Sequence, residues 1–515
     1  MRVRRSVAMS DETAGRLRQH LERADGQEDI CLGLYVPSTG RTSKSALIVE
    51  VVPPLPGERH VHGNASIESS YVLRAAALAA EHGAGVAMAH SHPGGSNWQG
   101  MSGPDRDAES SLANLVREIT GLPFVGMTYG VRNQSWSARF WDCGVGRDVE
   151  ATDCDSVRVV GSELGVTWND RLVSAPPTGA AQRRTVTCWG PVHHANLTRR
   201  RVLVVGVGSV GLDVAVRLAA AGFVCIGVMD FDTVEEHNLD RLIGATRDDV
   251  GRAKIDVAGH LMAAASTAAE PSFEFYDLSV CEPDGLGVAL DYDIVICCVD
   301  RPWPRAVLNQ IAYTDLIPIV DGGIAIDLFP DGDGMRTATR RAHIWRPGRP
   351  CGVCTRQIDL TDVQLDMQDQ LDDPEYIAGS DQSPGGGQNV SLLSVGVVAD
   401  LLAQFVSYNV APGGFGDPGP TQFLLTTHTV DHLDAGCTAG CRFSTDRAVG
   451  DSRVDLTGAH PAAARERNRR GARPLASAVG WRRRVVGRCR KTVRRALSLV
   501  TNGGVDRPAM EERRR

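Results

Sequence analysis

The stretch RVLVVGVGSVG, residues 201–211, constrains the fold of this chain more than any other. An apolar run of strand length enters a turn with three glycines in the spacing GxGxxG, and an apolar-periodic stretch, Val210–Ala221, follows as a helix. A strand, a tight glycine turn and a helix N-terminus bring backbone N–H groups up to a phosphate. Downstream, apolar runs and helical patterns alternate: VCIGVMD, a helix over Gly251–Thr267, DIVICCVD, then LIPIVDGGIAI. This alternation predicts an α/β, Rossmann-like, doubly wound parallel sheet over residues 179–444. Asp230 closes the strand after the glycine turn, where an acid holds ribose hydroxyls. A nicotinamide-dependent dehydrogenase and an ATP-using enzyme fit these residues equally.

At 515 residues the chain has room for about three domains. The front, residues 10–145, mixes helical patterns (Glu12–Ala24, Ser66–Glu81, Asp107–Thr120) with strand-like runs such as ICLGLYV, SALIVEVV and GVAMAH, which predicts a mixed α/β domain. Residues 146–178 are polar and end in APPTGA, the pattern of a linker. The last section, 445–515, has few large apolar residues and is expected to be a basic, disordered tail. From Arg442 onward 20 basic residues face 7 acidic ones, although the whole chain carries a formal charge of −7. Within the tail, Trp481, Val485, Cys489, Val493, Leu497 and Val500 recur near helical spacing, so a basic amphipathic helix that binds an anionic surface stands beside the plainer reading of a solvated arginine-rich tail. No apolar run approaches the ~18 residues of a membrane span, and no apolar stretch follows the N-terminal arginines, so no integral membrane segment and a cytoplasmic location are expected. In that compartment the 13 cysteines stay reduced, and tightly spaced pairs read as metal ligands.

The front domain carries AHSHPGGSNWQGMSGPD, residues 89–105. His90 and His92 are two apart in a strand and share a face. Ser102 and Asp105 lie at the start of a helix, so the aspartate can return to the same point. Two histidines, an aspartate and a water make the open tetrahedron of a catalytic zinc. The pattern H-x-H-P, a spacer, then S-x-x-D resembles the JAMM (MPN-plus) metalloproteases, whose domain has a cytidine-deaminase-like fold. The resemblance implies zinc on His90, His92 and Asp105, Ser102 as donor to a tetrahedral oxyanion, and an upstream glutamate as general base. Glu28, before the run ICLGL, fits that place; Glu50 is the alternative. It also implies hydrolysis at the C-terminus of ubiquitin-like proteins. The spacer departs from the family in its glycines and Trp98.

In the rear domain the stretch MDFDTVEEHNLDRL, residues 229–242, separates the two open readings. It resembles the D-x-D-x-V-x-x-x-N-L-x-R signature of the ThiF/MoeB and ubiquitin-activating family. The resemblance implies an adenylyltransferase in which Gly206, Gly208 and Gly211 form the phosphate turn and Asp230 and Asp232 open the signature, Asp230 on the ribose. It further implies phosphates held by Asn238, Arg241 and Lys254, and Mg bound to Asp300 during attack on the α-phosphate of ATP. Only three lysines occur in the chain, Lys44, Lys254 and Lys491, so one retained at this position suggests a demand that arginine does not meet. Arg183 or Arg184 is implied to reach a partner subunit's nucleotide, hence a homodimer. Cys351-x-x-Cys354 and Cys437-x-x-x-Cys441 read as a structural zinc site, the second pair one residue longer than in the family. Residues 355–436 hold no cysteine to form a thioester, and Cys297 and Cys298 are expected in the core.

Together these features predict a bifunctional enzyme that trims a ubiquitin-like protein and adenylates its C-terminal glycine for a conjugating-enzyme-like acceptor. Sulfur-carrier activation for cofactor or cysteine synthesis is the alternative. A scaffold with decayed sites is the reading from another class.

Overall fold

The computed structural model describes residues 2–62, 64–143, 149–330, 334–371, 390–433 and 436–471. The predicted tail helix around Trp481 lies outside them. Among the described residues two large sheets and one two-stranded hairpin are present. The front sheet is built from β1 (Arg4–Ser10), β2 (Ile30–Thr39), β3 (Ser43–Val52), β6 (Gly85–His92), β7 (Phe124–Gly130), β8 (Ser135–Cys143), β9 (Val149–Asp153), β10 (Ser156–Val160) and β11 (Leu164–Trp168), and the short hairpin β4 (Arg59–His62) and β5 (Asn64–Ile67) stands apart. Its order is β11-β10-β1-β3-β2-β6-β7-β8-β9. Alternation along the strands sorts residues onto two faces. Cys31, Tyr35, Ala87 and Ala89 pack with α1 (Asp11–Leu21); Ile30, Leu32, Leu34, Val86 and Met88 pack with α2 (Ser69–Glu81) and α3 (Gly103–Thr120). His90 and His92 have the parity of Val86 and Met88 and so fall on the α3 side.

The rear sheet runs β14-β13-β12-β15-β16-β17-β18-β19, from β12 (Arg201–Val205), β13 (Cys225–Met229), β14 (Ser272–Tyr276), β15 (Ile294–Cys297), β16 (Ile319–Leu328), β17 (Met335–Trp345), β18 (Thr421–Leu424) and β19 (Thr429–His432). The first five in that order pair in parallel and the remainder antiparallel. This is the Rossmann-like half that the glycine turn requires, extended by an antiparallel ribbon. Helices α4 (Arg183–Trp189) and α5 (Pro191–Thr198) precede the sheet. The strands are joined or followed by α6 (Ser209–Ala221), α7 (Lys254–Ala265), α8 (Pro283–Ala289), α9 (Pro302–Thr314), α10 (Leu360–Met367), α11 (Ser391–Val410), α12 (Arg442–Thr445) and α13 (Pro461–Arg469).

Three sequence expectations change. Residues 149–168 are not a linker: they form β9–β11 and complete the front sheet, with β10 parallel to β1. The polar residues that read as loop are buried in ion pairs, Arg158 with Asp293 of the rear domain at 3.2 Å. Residues 445–471 are not a solvated tail: they pack along the rear domain and end in α13. And α11 is by itself long and apolar enough to cross a membrane, contrary to expectation, yet it packs on α6, β16 and β17 with Val397, Leu401 and Phe405 in the core.

The two domains share that core. Ala8, Leu47, Val160 and Leu164 of the front sheet join Val202, Val204 and Phe405 in one cluster. Asp291 accepts from the Thr42 N–H at 2.9 Å and from the Ser43 hydroxyl at 2.8 Å, which fastens the β2–β3 turn to the rear domain.

Candidate functional site

The front cluster is assembled from the end of one strand and the start of one helix. Ser102 caps α3: its Oγ accepts the Asp105 N–H at 3.2 Å, and Asp105 Oδ2 accepts the Ser102 N–H at 2.9 Å. This capping box fixes Asp105 at the helix N-terminus, which favours its charge. Asp105 Oδ2 then lies 3.6 Å from His90 Nε2 and 3.9 Å from His92 Nε2, and the two Nε2 atoms are 3.2 Å apart. Three donor atoms of types suited to zinc converge on one point, so the residues fit the ion. Burial, then the Arg139 charge, pushes His90 down to about 3, so it stays neutral, the form that binds a metal. Burial raises Asp105, but His90 and the Ser102 amide outweigh it and hold the carboxyl below its usual range. The bond to Ser102 uses a lone pair and leaves its hydroxyl proton to donate elsewhere.

Strand register places the two glutamates at different distances from the histidines. Ile30 pairs with His90, and the Ser91 N–H donates to Asp29 O at 2.9 Å, so the chain just before β2 runs along β6 toward its His92 end, and Glu28 is the next residue in that direction. Glu50 is exposed and pairs with Leu34, four residues along β2 from Ile30, or about 13 Å at strand rise.

Sequence reasoning missed the residues beneath the cluster. Glu109, one turn beyond Asp105 on α3, is fully buried and accepts from Arg139 Nε at 2.7 Å and Trp141 Nε1 at 2.6 Å. Arg139 Nη1 donates to Thr128 Oγ1 at 2.9 Å, and that oxygen lies 3.5 Å from His90 Nε2. On the other side, Asp29 is buried and pairs with Arg59 at 3.0 Å and Arg23 at 3.3 Å. Isolated charges inside apolar runs carry no spacing signal.

In the rear domain one cavity of about 210 Å³ is lined by Gly206, Gly208, Asp230, Asp232, Asn238, Arg241, Lys254, Cys298, Asp300 and Arg301 among others. It opens at the C-terminal ends of β12, β13 and β15. Gly211 does not line it. A side chain there would put its Cβ 1.9 Å from the Gly206 carbonyl oxygen, so its role is to let α6 meet the turn closely. Asp230 Oδ2 accepts the Val207 N–H at 2.6 Å and Oδ1 the Asp232 N–H at 2.7 Å. Burial raises the Asp230 pKa. Lys254 Nζ donates to Asp232 Oδ2 at 2.8 Å; burial lowers its pKa, but Asp230 and Asp232 outweigh that and raise it, so the ammonium stays charged. Arg241 is turned back onto the His237 carbonyl at 2.6 Å, and Asn238 Oδ1 accepts the Glu235 N–H at 3.1 Å. Backbone amides at a helix N-terminus, three cations and three acids in one cleft fit a nucleoside triphosphate with its Mg. Cys297 is core as expected, whereas Cys298 is half-buried and lines the cavity; burial pushes both thiols up and away from nucleophilic thiolate. Arg183 and Arg184 begin the exposed helix α4 and do not line the cavity.

One further lining residue, His460, comes from the section expected to be disordered. No motif announces it.

Cys351, Cys354, Cys437 and Cys441 bring their sulfurs within 4.8 Å of one another. The Cys351 N–H donates to Cys437 Sγ at 3.3 Å and the Cys354 N–H to Cys351 Sγ at 3.4 Å; the Cys351 thiol, and to a lesser degree its N–H, bring Cys437 down to about 5. Amide donors on thiolate sulfur suit a structural zinc site, and the longer second pair does not prevent its closure.

Residues 181–404 match the model of the ThiF family. The "Adenylyltransferase and sulfurtransferase uba4" of Aspergillus clavatus is 28% identical over 207 residues, 40% of this chain and 39% of that protein. The "Sulfur carrier protein adenylyltransferase" of Thermus thermophilus is 33% identical over 135 residues, 26% of this chain and 49% of that protein. The solved structure of E. coli MccB with ATP aligns with a TM-score of 0.40 at 18% identity, over 52% of this chain and 74% of that one. The chain thus spans from about two fifths to half the length of these curated relatives.

Proposed function

We propose that the ThiF-family domain of this chain adenylates the C-terminal carboxylate of a small carrier protein, and that the front cluster is a zinc site that hydrolyses a bond at such a tail. The observation that carries the first half is the gathering of Asp230, Asn238, Arg241, Lys254 and Asp300, spread over 71 positions, around one glycine turn. The amides at the N-terminus of α6 hold phosphate oxygens, while Asp230, which already accepts the Val207 N–H, holds the ribose. Lys254 and Arg241 exchange their present partners, Asp232 and the His237 carbonyl, for phosphate as charge builds at the α-phosphate. Asp300 lines the same cavity and would hold Mg, which would supply positive charge for the departing pyrophosphate.

The two curated relatives are named for sulfur chemistry, which favours a carrier that receives sulfur over one that is conjugated to protein. Both carriers present the same C-terminal carboxylate to adenylation. With no cysteine in residues 355–436 and Cys298 held protonated, the acyl group passes to an external thiol or sulfide. In the front domain zinc, when bound, supplies a Lewis acid at the scissile carbonyl. In this reading Glu28, just upstream of the Ile30–His90 pair, accepts a proton, and the Ser102 hydroxyl donates to the oxyanion.

ATP–pyrophosphate exchange by the full chain with its co-purified small partner tests the first half. Lys254→Ala is expected to cut exchange about a hundredfold or more while folding is kept. Exchange that survives Lys254→Ala would overturn the reading.

A further inference from the structure

The matched family region ends at residue 404, yet one residue that lines the cavity, His460, lies beyond it. After the cysteine knuckle, the chain runs back over the rear domain. The Gln310 side chain donates to Val454 O at 2.8 Å, Trp303 Nε1 to Leu456 O at 2.8 Å, and the Gly458 N–H to Cys281 O at 2.8 Å. Helix α13 then lies across the loops that follow β13 and β14. The Thr233 hydroxyl donates to Glu466 at 2.7 Å, and Arg470 Nη2 donates to Phe231 O and to Asp277, each at 2.8 Å. Arg467 Nη1 adds a bond to Glu282 at 2.9 Å. These contacts hold the residue that precedes the helix. His460 is 5% exposed, and its ring meets Phe231 and Trp303 edge-on, each at 5.1 Å between centroids. Its Nδ1 is buried with no hydrogen-bond partner among the described residues.

The position of this wall along the cavity gives it a meaning. Phosphate donors cluster at the Gly206 turn, Arg241 and Lys254, and the ribose acid is Asp230. Around His460 the lining is Phe231, Leu278–Val280 and Pro304, largely apolar or aromatic, together with the Arg301 guanidinium, which donates to Asp366; the apolar and aromatic part has the character of a surface that takes a flat base. An imidazole offers that surface one of its few polar edges, a donor on one nitrogen and an acceptor on the other while it is neutral. Burial keeps its pKa lowered, so it is neutral near pH 7.

We propose that residues 447–470 form the base-end wall of the nucleotide cavity and that His460 contacts the adenine ring, so that a segment outside the family domain helps set nucleotide specificity. The proposal rests on the adenylation reading above. It makes His460 a nucleotide-binding residue with no part in phosphate chemistry.

Calorimetric binding of ATP, ITP (which lacks the 6-amino group) and inorganic tripolyphosphate to the full chain tests it. His460→Phe keeps a ring between Phe231 and Trp303 but removes both nitrogens; it is expected to weaken ATP binding about fivefold to tenfold, to narrow the preference for ATP over ITP, and to leave tripolyphosphate binding unchanged. His460→Ala, which also removes the ring, is expected to weaken ATP further. Unchanged ATP and ITP affinities in both variants overturn the proposal, as does a parallel loss of tripolyphosphate binding. If the wild-type chain binds tripolyphosphate but shows no preference for ATP over it, the base-end wall fails while the phosphate site stands. If the wild type binds neither, the adenylation reading fails with it.

Discussion

The front cluster and the rear cavity are built in opposite ways. His90, His92 and Asp105 come from one strand end and one helix cap within 16 residues, and hydrogen bonds already fix Asp105 before any ion arrives. The rear cavity draws its lining from Val205 to His460, from loops at several strand ends and a returning C-terminal segment, and Arg241 and Lys254 rest on the His237 carbonyl and Asp232. A metal site of three ligands needs fixed geometry at one point. A triphosphate is long and changes charge along its length, so residues from distant parts of the chain must converge on it, and some must move.

The sharpest break in the comparison is a pair of substitutions that touch only the front. Glu28→Gln is expected to slow cleavage of a carrier protein extended past its C-terminal glycine by about a hundredfold or more, and Glu50→Gln to leave the rate within about twofold. Neither should move ATP–pyrophosphate exchange. The reverse result, with Glu50 essential, would mean that the antiparallel register between β2 and β6 does not choose the base. Loss of exchange in Glu28→Gln would mean that the shared core couples the two sites.

A second substitution asks whether the front is built in advance by its buried charges. Glu109→Gln leaves Arg139 inside the sheet without its carboxylate. Removing one partner of a buried pair costs about 3–5 kcal/mol. The unfolding midpoint in denaturant should fall accordingly, and zinc affinity at His90 should fall with it, because α3 carries both Glu109 and Asp105. A stability loss with unchanged zinc affinity would show that the helix cap alone positions the ligand.

Much of this architecture was legible in the sequence where a residue type is tied to a spacing. GVGSVG between strand and helix predicted the parallel sheet, and H-x-H followed by S-x-x-D predicted three side chains that do converge. What escaped is polar sequence that becomes structure by pairing across long separations. Arg158 reads as loop until Asp293 is opposite it, 135 positions away. The segment 445–471 reads as a solvated tail until Arg453 meets Asp315, Arg467 meets Glu282 and Arg470 meets Asp277. Local periodicity has no access to such partners, and an arginine-rich composition cannot tell a solvated arginine from a paired one. His460 was lost with that segment.

The smallest expected effect concerns polar groups in the rear interior. Where Glu109 and Arg139 satisfy each other in the front, the rear buries Asp321 with Arg305 and Arg341, each at 3.6 Å, beyond hydrogen-bond reach, and sets His343 beside them on β17. Burial is the main cause that pushes His343 down to about 4; Asp417 and Asp321 oppose it, and Arg341 adds to it. In the unfolded chain the same imidazole takes a proton near pH 6.5. Below that pH the unfolded state binds the proton first, so the stability present above pH 6.5 is lost progressively as pH falls toward 4. Between pH 7.5 and pH 5 the loss from this one residue is about 2 kcal/mol. Unfolding free energies of wild type and His343→Leu, followed from pH 7.5 to pH 5, should therefore show wild type losing that amount relative to the variant on acidification. Parallel curves would show that the interior around His343 admits water and a proton, and the contrast between a paired front and a strained rear would then lose its clearest physical mark.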